Sequence, residues 1–391
     1  MLSRKKLAVV VIAISALIVS SSPAYAAQLN GSGATFASPL VDACKVDFNK
    51  DTTHTINYTG GGSGKGRSDF ASNLVDFAGS DAAYSVGEPT NLVYAPIFAA
   101  PIAIMYNLPT VKESIYLTPR TVAKIFSGYI TNWNDKAIAA DNERTVKTPV
   151  FQTKTITVKD KNKKNVKKTV PVLDKAGKPV VASYTTKTVS IDLPNLDITV
   201  WYRTDSSGTS ENFTAWLKAT NLKNADWPRA KNGVFANAAP TGVSGLFNFQ
   251  GASGSAANAA GVAGKVGSVT YSELSFATDN KLAVANISNA AGEFVVPSAA
   301  GTITFLAGGT IGSNGVMTPD YLKAIPGAYS LGTASYGLAY SSGKNATTQK
   351  LVADWFTYVL DKCPSKYPEK GFAQITGPLY DKAKEQIAKI K

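Results

Sequence analysis

Residues 198–217, ITVWYRTDSSGTSENFTAWL, constrain the fold of this chain more than any other stretch, because the side-chain period changes within a few positions. The β-branched and aromatic run 198–202 reads as a strand, and Phe213, Trp216 and Leu217 recur at the helical period. Between them Ser206, Ser207, Gly208, Thr209 and Ser210 form a small-residue loop, so the unit is strand, tight loop, helix, as in an α/β fold. The first turn of such a helix leaves several backbone N–H groups without intrahelical acceptors, all pointing at one spot, which suits an anion. Arg203 stands beside that spot as a planar donor for phosphate or carboxylate, with Asp205 close enough to hold the guanidinium. The same residues equally describe a Ser/Thr helix cap beside a surface arginine, and this stretch alone leaves both readings open.

The chain opens on Arg4, Lys5 and Lys6, an apolar run over residues 7–19, and Ala24-Tyr25-Ala26, the pattern of a secretory signal cleaved before Ala27. The apolar run is too short for a spanning helix, and no cysteine follows the cleavage site, which speaks against a lipid-anchored lipoprotein. The expected mature protein is soluble and exported, with enough chain for two domains. Its net charge is +10 once the three basic residues of the signal are removed from the +13 of the whole chain. That balance favours an anionic ligand or surface, or serves solubility alone. Nucleic acid fits poorly, since the chain is exported and its aromatics are not interleaved with lysines.

Further small-residue loops follow strands in the first mature segment. Residues 29–40, LNGSGATFASPL, lead into a helical pattern through Val41, Cys44, Val46 and Phe48. A strand over 55–58 is followed by a loop over 59–68, TGGGSGKGRS, which reads as opening a helix near 69–71. The run 74–80 reads as a short buried strand ending on Asp81. A phosphate-binding P-loop is excluded, because Gly66 follows Lys65 where Ser or Thr is required and Thr59 occupies the opening glycine position. The dinucleotide fingerprint fails for want of its third glycine. Four strand-to-loop junctions thus carry small residues, one arginine and one carboxylate, and in an open α/β sheet such loops converge outside the carboxyl ends of the strands.

Gly31-Ser-Gly-Ala-Thr-Phe36, Asn57-Tyr58 with Gly62-Ser63, Val75-Asp-Phe-Ala-Gly-Ser-Asp81 and Arg203-Thr-Asp-Ser-Ser-Gly-Thr-Ser210 resemble, in order and spacing, the phosphate-binding proteins of bacterial phosphate ABC importers. Residues 117–133, LTPRTVAKIFSGYITNW, are similar to that family's second-domain segment. The resemblance implies a type-II periplasmic binding protein: two α/β lobes joined by crossing hinge strands, closing on inorganic phosphate and passing it to a membrane permease. Carried over by position, the ligand contacts are Thr35, the Phe36 N–H, Ser63 and Asp81 from one lobe and Arg203, Ser207, Gly208 and Thr209 from the other, with Asp205 orienting Arg203. Ala37 in place of a usual proline, and Lys65 in a normally small-residue loop, depart from the pattern.

On this reading residues 27–107 and 328–391 form lobe I, residues 108–327 form lobe II, and the crossing strands lie near 95–107 and 328–340. Residues 145–190 are unlike the family. They alternate β-branched residues with lysines around a turn, Asp174-Lys-Ala-Gly-Lys-Pro179, and predict one or two exposed hairpins whose lysines form a solvated edge that blocks strand-to-strand aggregation. A role in holding the protein at a polyanionic cell wall is a further reading of the same lysines. The small-residue segment 251–267 reads as a short helix packed on a strand, without chemistry, and residues 351–360 and 379–390 read as amphipathic core helices.

His54, the single histidine, reads as a solvated surface residue, and one histidine with two cysteines offers no zinc spacing. A secreted hydrolase using Ser207 or Thr209 would need an adjacent base, and no histidine lies in any of the four loops. The sequence also admits sulfate, molybdate or an organic anion as ligand, or an adhesion module built on the lysine-rich hairpins. No cofactor is expected, and the protein is expected to be a monomer. Export, a count of two and a common lobe predict a Cys44–Cys363 disulfide.

Overall fold

Residues Leu92–Tyr106 form one fifteen-residue strand, buried along nearly its whole length, and it carries the chain from one lobe to the other. The computed structural model describes residues 26–391 except 160, 162, 223, 224 and 244, so the secretory signal read over 1–26 lies, apart from Ala26, outside the described residues. From Leu92 to Pro101 the crossing strand pairs antiparallel with Gly332–Tyr340, and from Ile102 to Tyr106 with Ser268–Glu273. The change of partner falls at a proline, which has no N–H to donate to a ladder. The one slip in register lies beside the other proline of the strand, where Tyr336 faces Pro96 and Ser335 faces Phe98.

Around this strand the described residues build a nine-stranded sheet. Its order is Phe249–Ala252, Thr199–Arg203, Ser268–Glu273, Leu92–Tyr106, Gly332–Tyr340, Phe77–Ser80, Gln28–Gly33 and Thr55–Gly60, with Ala283–Val284 paired to the crossing strand. Each half is parallel at its outer strands. Parallel neighbours need crossover connections, and helices Ser38–Thr52, Ser63–Ala71, Gly208–Thr220 and Ser255–Ala263 supply them. Each of these helices follows a strand, so all their N-termini lie on the side of the carboxyl strand ends, where the two halves face one another. The aromatic residues Phe213, Trp216, Phe126 and Tyr271 pack the second half, and Phe36, Phe48, Phe98 and Phe356 the first.

The second connection runs through Tyr329 and Leu331, whose hydroxyl and carbonyl bond the backbone of Ile102 at 2.8 and 2.9 Å. Of the residues before it, Ser313 and Met317 are bonded to the C-terminal part of the chain. There Tyr336 accepts the Met317 N–H at 3.0 Å, and Gln386 donates to the Ser313 carbonyl at 2.8 Å. The C-terminal helices are Ala346–Lys366 and Gly377–Ile387, and Cys363 of the former is bonded to Cys44 across 319 residues of chain.

Two local expectations are corrected. The loop read over 59–68 is already helix from Ser63, and the strand read over 74–80 begins only at Phe77, with Leu74 exposed. Glycines 64 and 66 serve close approach rather than loop flexibility: a Cβ at Gly66 would lie 2.6 Å from Gly33 Cα, and one at Gly64 would collide with the Ser206 side chain. Lys65 points out of that helix to Asp69, one turn on, at 2.5 Å.

The insertion is a two-stranded ribbon. Strands Glu143–Phe151 and Val181–Ser190 pair as its stalk, and Thr153–Lys159 with Asn165–Pro171 as its far hairpin. Gln152 bonds the backbone of both Val172 and Val180 where the ribbon forks, and Asp174 closes a small second turn by accepting the N–H of Ala176 and Lys178. Its root is fixed to the second half by Arg144, which stacks 3.5 Å over the Tyr116 ring.

Candidate functional site

Arg203 ends its strand fully inside the protein, with 2 % of its surface exposed. Its Nε donates to Asp205 Oδ1 at 2.7 Å, Nη2 donates to Asp205 Oδ2, and Nη1 donates to Ser255 Oγ at 3.0 Å. Such a two-point fork fixes the plane of the guanidinium before any ligand arrives. Burial would raise the Asp205 carboxyl, but the Arg203 hydrogen bonds and charge, together with the Gly254 N–H at 2.9 Å, hold it below the ordinary carboxylate range.

The helix that follows begins at Gly208. Ser207 is its cap, accepting the Ser210 N–H at 3.1 Å, which leaves the Gly208 and Thr209 N–H groups in the first turn free of intrahelical acceptors. The Ser207 cap and a helix start with unengaged N–H donors are therefore one and the same object here. Gly208 abuts the other lobe: a Cβ there would lie 2.5 Å from Ser63 Oγ and 2.9 Å from Asp81 Cβ.

From the first lobe, Thr35 and Phe36 sit in the turn before helix Ser38–Thr52. The Phe36 ring is buried edge-on to Phe372, and among the hydrogen bonds of the described residues its N–H has no acceptor. Asp81 follows strand Phe77–Ser80 and is 3 % exposed. Its Oδ1 accepts from Ser335 at 2.8 Å, while Oδ2 has only long contacts, 3.5 Å each, to the hydroxyls of Ser63 and Thr209. Burial raises the Asp81 carboxyl to about 6, although the Ser335 bond, the charge of Arg203, the Ser63 bond and the charge of Arg67 all pull it down. Arg67 also braces the loop, donating to Ser80 Oγ at 3.1 Å and the Ala82 carbonyl at 3.0 Å.

The lobes meet in this structure. The Gly64 N–H donates to the Ser206 carbonyl at 2.9 Å, Asn212 Nδ2 donates to the Asp81 carbonyl at 2.7 Å, and the Ser255 N–H donates to Thr35 Oγ1 at 3.1 Å. The structure thus gathers the buried Phe36, Ser63, Asp81, Arg203, Ser207, Gly208 and Thr209 and the half-buried Thr35 and Asp205 into one cluster. Chemically it is a cage of N–H and O–H donors with one under-used acceptor, Asp81 Oδ2, and its single cation is already matched by Asp205. Its donors are oriented backbone and side-chain groups, and its net charge is small.

Three participants escape a reading of the sequence. Ser255 lies in the 251–267 segment, which carries no chemistry on its residues alone, yet it bridges Arg203 and Thr35. Its signal is the run Gly251-Ala-Ser-Gly-Ser255, a fifth strand-to-helix junction of small residues. Asn212 sits one turn into a helix whose start the sequence does show. Ser335 lies within an apolar strand and has no local signal. His54 is not free in solvent either: half-buried, its Nδ1 accepts the Ala27 N–H at 3.1 Å, at the amino end of its strand and away from the cage.

A model of the PBP superfamily domain matches residues 19–362. Phosphate-binding protein PstS 3 of Mycobacterium tuberculosis is 28 % identical over 351 residues, 85 % of this chain and 77 % of that protein. Phosphate-binding protein PstS 2 of the same organism is 30 % identical over 315 residues, 75 % of this chain and 68 % of that one. The fold matches a high-affinity periplasmic phosphate-binding protein bound with phosphate, with a TM-score of 0.63 at 20 % identity over 92 % of this chain and 93 % of the other. It also matches a phosphate-binding protein of Stenotrophomonas maltophilia, with a TM-score of 0.58 at 20 % identity and the same coverage. With two lobes, a crossing strand and converging helix N-termini already placing it in that architecture, the chain belongs to the PBP superfamily, within the family of bacterial phosphate-binding proteins.

Proposed function

We infer that this is an exported solute-binding protein that captures inorganic phosphate between its lobes and hands it to the membrane permease of an ABC importer. The observation that carries the reading is a single buried carboxylate oxygen, Asp81 Oδ2, set among donors from both lobes. Phosphate near neutral pH keeps a proton that this oxygen can accept, while its other oxygens take the donors of Arg203, Ser63, Gly208, Thr209, Thr35 and Phe36. Family membership supports the same ligand.

Capture without turnover fits the cage. A Ser or Thr nucleophile needs a base within hydrogen-bond reach, and the one histidine lies at the opposite end of its strand. The lobes, 27–107 with 328–391 against 108–327, would close by flexing the two connections beside Ile102, with the segment around Met317 riding on the first lobe.

Calorimetry and thermal shift with phosphate, sulfate, molybdate and arsenate decide the ligand. Phosphate and arsenate should bind, and phosphate at a hundred times its Kd should add about 2.7 kcal/mol of stability. Preferential binding of sulfate or molybdate would assign the cage to another oxyanion.

A further inference from the structure

The +10 of the mature chain is not spread over it: residues 145–190 hold eleven lysines, no arginine and two aspartates, a net +9, so the two-lobed remainder is nearly neutral. We propose that the ribbon built from these residues is a docking arm for a linear polyphosphodiester of the cell envelope. It is an independent surface, rooted at Arg144 and Tyr116, and it supplies no residue to the anion cage.

Six lysines of the ribbon face solvent. Lys154, Lys159, Lys167, Lys168, Lys175 and Lys178 are all exposed, and among the described residues none of the six enters an ion pair. Charges on a strand edge block edge-to-edge pairing, but here lysines stand on both faces of the ribbon as well. The register distributes the lysines over both faces. Lys154 pairs with Val170 and Lys168 with Ile156 on one face, while Lys167 pairs with Thr157 and Lys159 with Asn165 on the other. A flat bilayer touches one face only, whereas a flexible chain can follow both. The exposed apolar side chains Val150, Phe151, Leu173 and Val181 lie near the fork, and on the far hairpin Val166 is exposed among the lysines. Lysine without arginine gives point charges with no planar fork, which suits a polymer bearing one charge per repeat and read without sequence or shape.

The test compares the full mature protein with a variant carrying Lys→Gln at those six positions. Poly(glycerol phosphate) and vesicles containing phosphatidylglycerol are the probes, and phosphate titration is the control. The mature protein should bind the polymer with a log–log salt slope of about −3 to −4, so that going from 50 to 200 mM salt costs roughly a hundredfold in affinity. The variant should lose at least tenfold at low salt while its phosphate titration and melting temperature stay unchanged. Failure of the mature protein to bind the polymer, equal binding by the variant, or tighter binding to the vesicles would each overturn the proposal. None of these outcomes bears on phosphate capture in the cleft.

Discussion

On the proposed function, Asp81 is the residue that sets which tetrahedral anion the cage accepts. With its carboxyl at about 6 it is mostly ionised at pH 7.5 and can accept the proton of phosphate, whereas sulfate would set bare oxygens against it. Below about pH 6 the carboxyl becomes a donor and serves sulfate as well. The margin for phosphate over sulfate should therefore narrow by at least tenfold between pH 7.5 and pH 5 in competition calorimetry, and Asp81→Asn should show the narrow margin at both. A wide margin at pH 5, or in the folded Asn variant, would place discrimination elsewhere. The same shift sets a sign for stability. A folded-state carboxyl raised above its unfolded value favours the folded state fully below about pH 4, and that contribution is lost as pH rises through about 6. The Asn variant should lack this component of the pH profile.

At the scale of elements, helix Gly208–Thr220 is where the proposed closure can be tested, because a Cβ on its first residue would meet Ser63 and Asp81 across the cleft. Gly208→Ala suits the helix itself, since alanine is the better helix former and no positive φ is required there. Its Cβ nevertheless needs space that the closed lobes occupy, so the variant should fold with stability within about 1 kcal/mol of the parent. Its phosphate affinity should fall at least tenfold. Titration together with a denaturation curve checks both halves, and unchanged affinity would mean that closure leaves more room than the contacts imply. The glycines of helix Ser63–Ala71 make the same point about reading elements. In sequence they look like a loop, yet two of them let that helix sit on Gly33 and against Ser206.

For the whole molecule, the Cys44–Cys363 bond ties the first helix of lobe I to the long helix near its C-terminus and encloses the entire second lobe in one loop. Closing so long a loop restricts the unfolded chain by about 5 kcal/mol in the chain-entropy model, and measured bonds often give less. Replacing both cysteines by serine should lower unfolding free energy by about 2–5 kcal/mol in urea denaturation while changing phosphate affinity less than threefold. A larger loss of affinity would show that the bond also sets the approach of the lobes.

What the sequence determined by itself was everything carried by local period and local chemistry. Strand, small-residue loop and helix start are legible around Arg203 and residues 207–209, because backbone donors at a helix start depend only on neighbouring residues, whereas it is the family resemblance that names Thr35, Ser63 and Asp81. The lysine ribbon announces itself by alternation and its Asp174 turn. Tertiary structure decided what depends on distant partners. Ser335 reaches Asp81 from 254 positions away, and Ser255 reaches Thr35 from 220. The raised carboxyl of Asp81 follows from its burial between two lobes, which no local window contains. The whole-chain charge pointed to an anionic ligand, but nearly all of that charge lies in residues 145–190, and the fold builds the cage from oriented donors elsewhere. Net charge is a sum over the chain, whereas a binding site is a matter of where the donors converge.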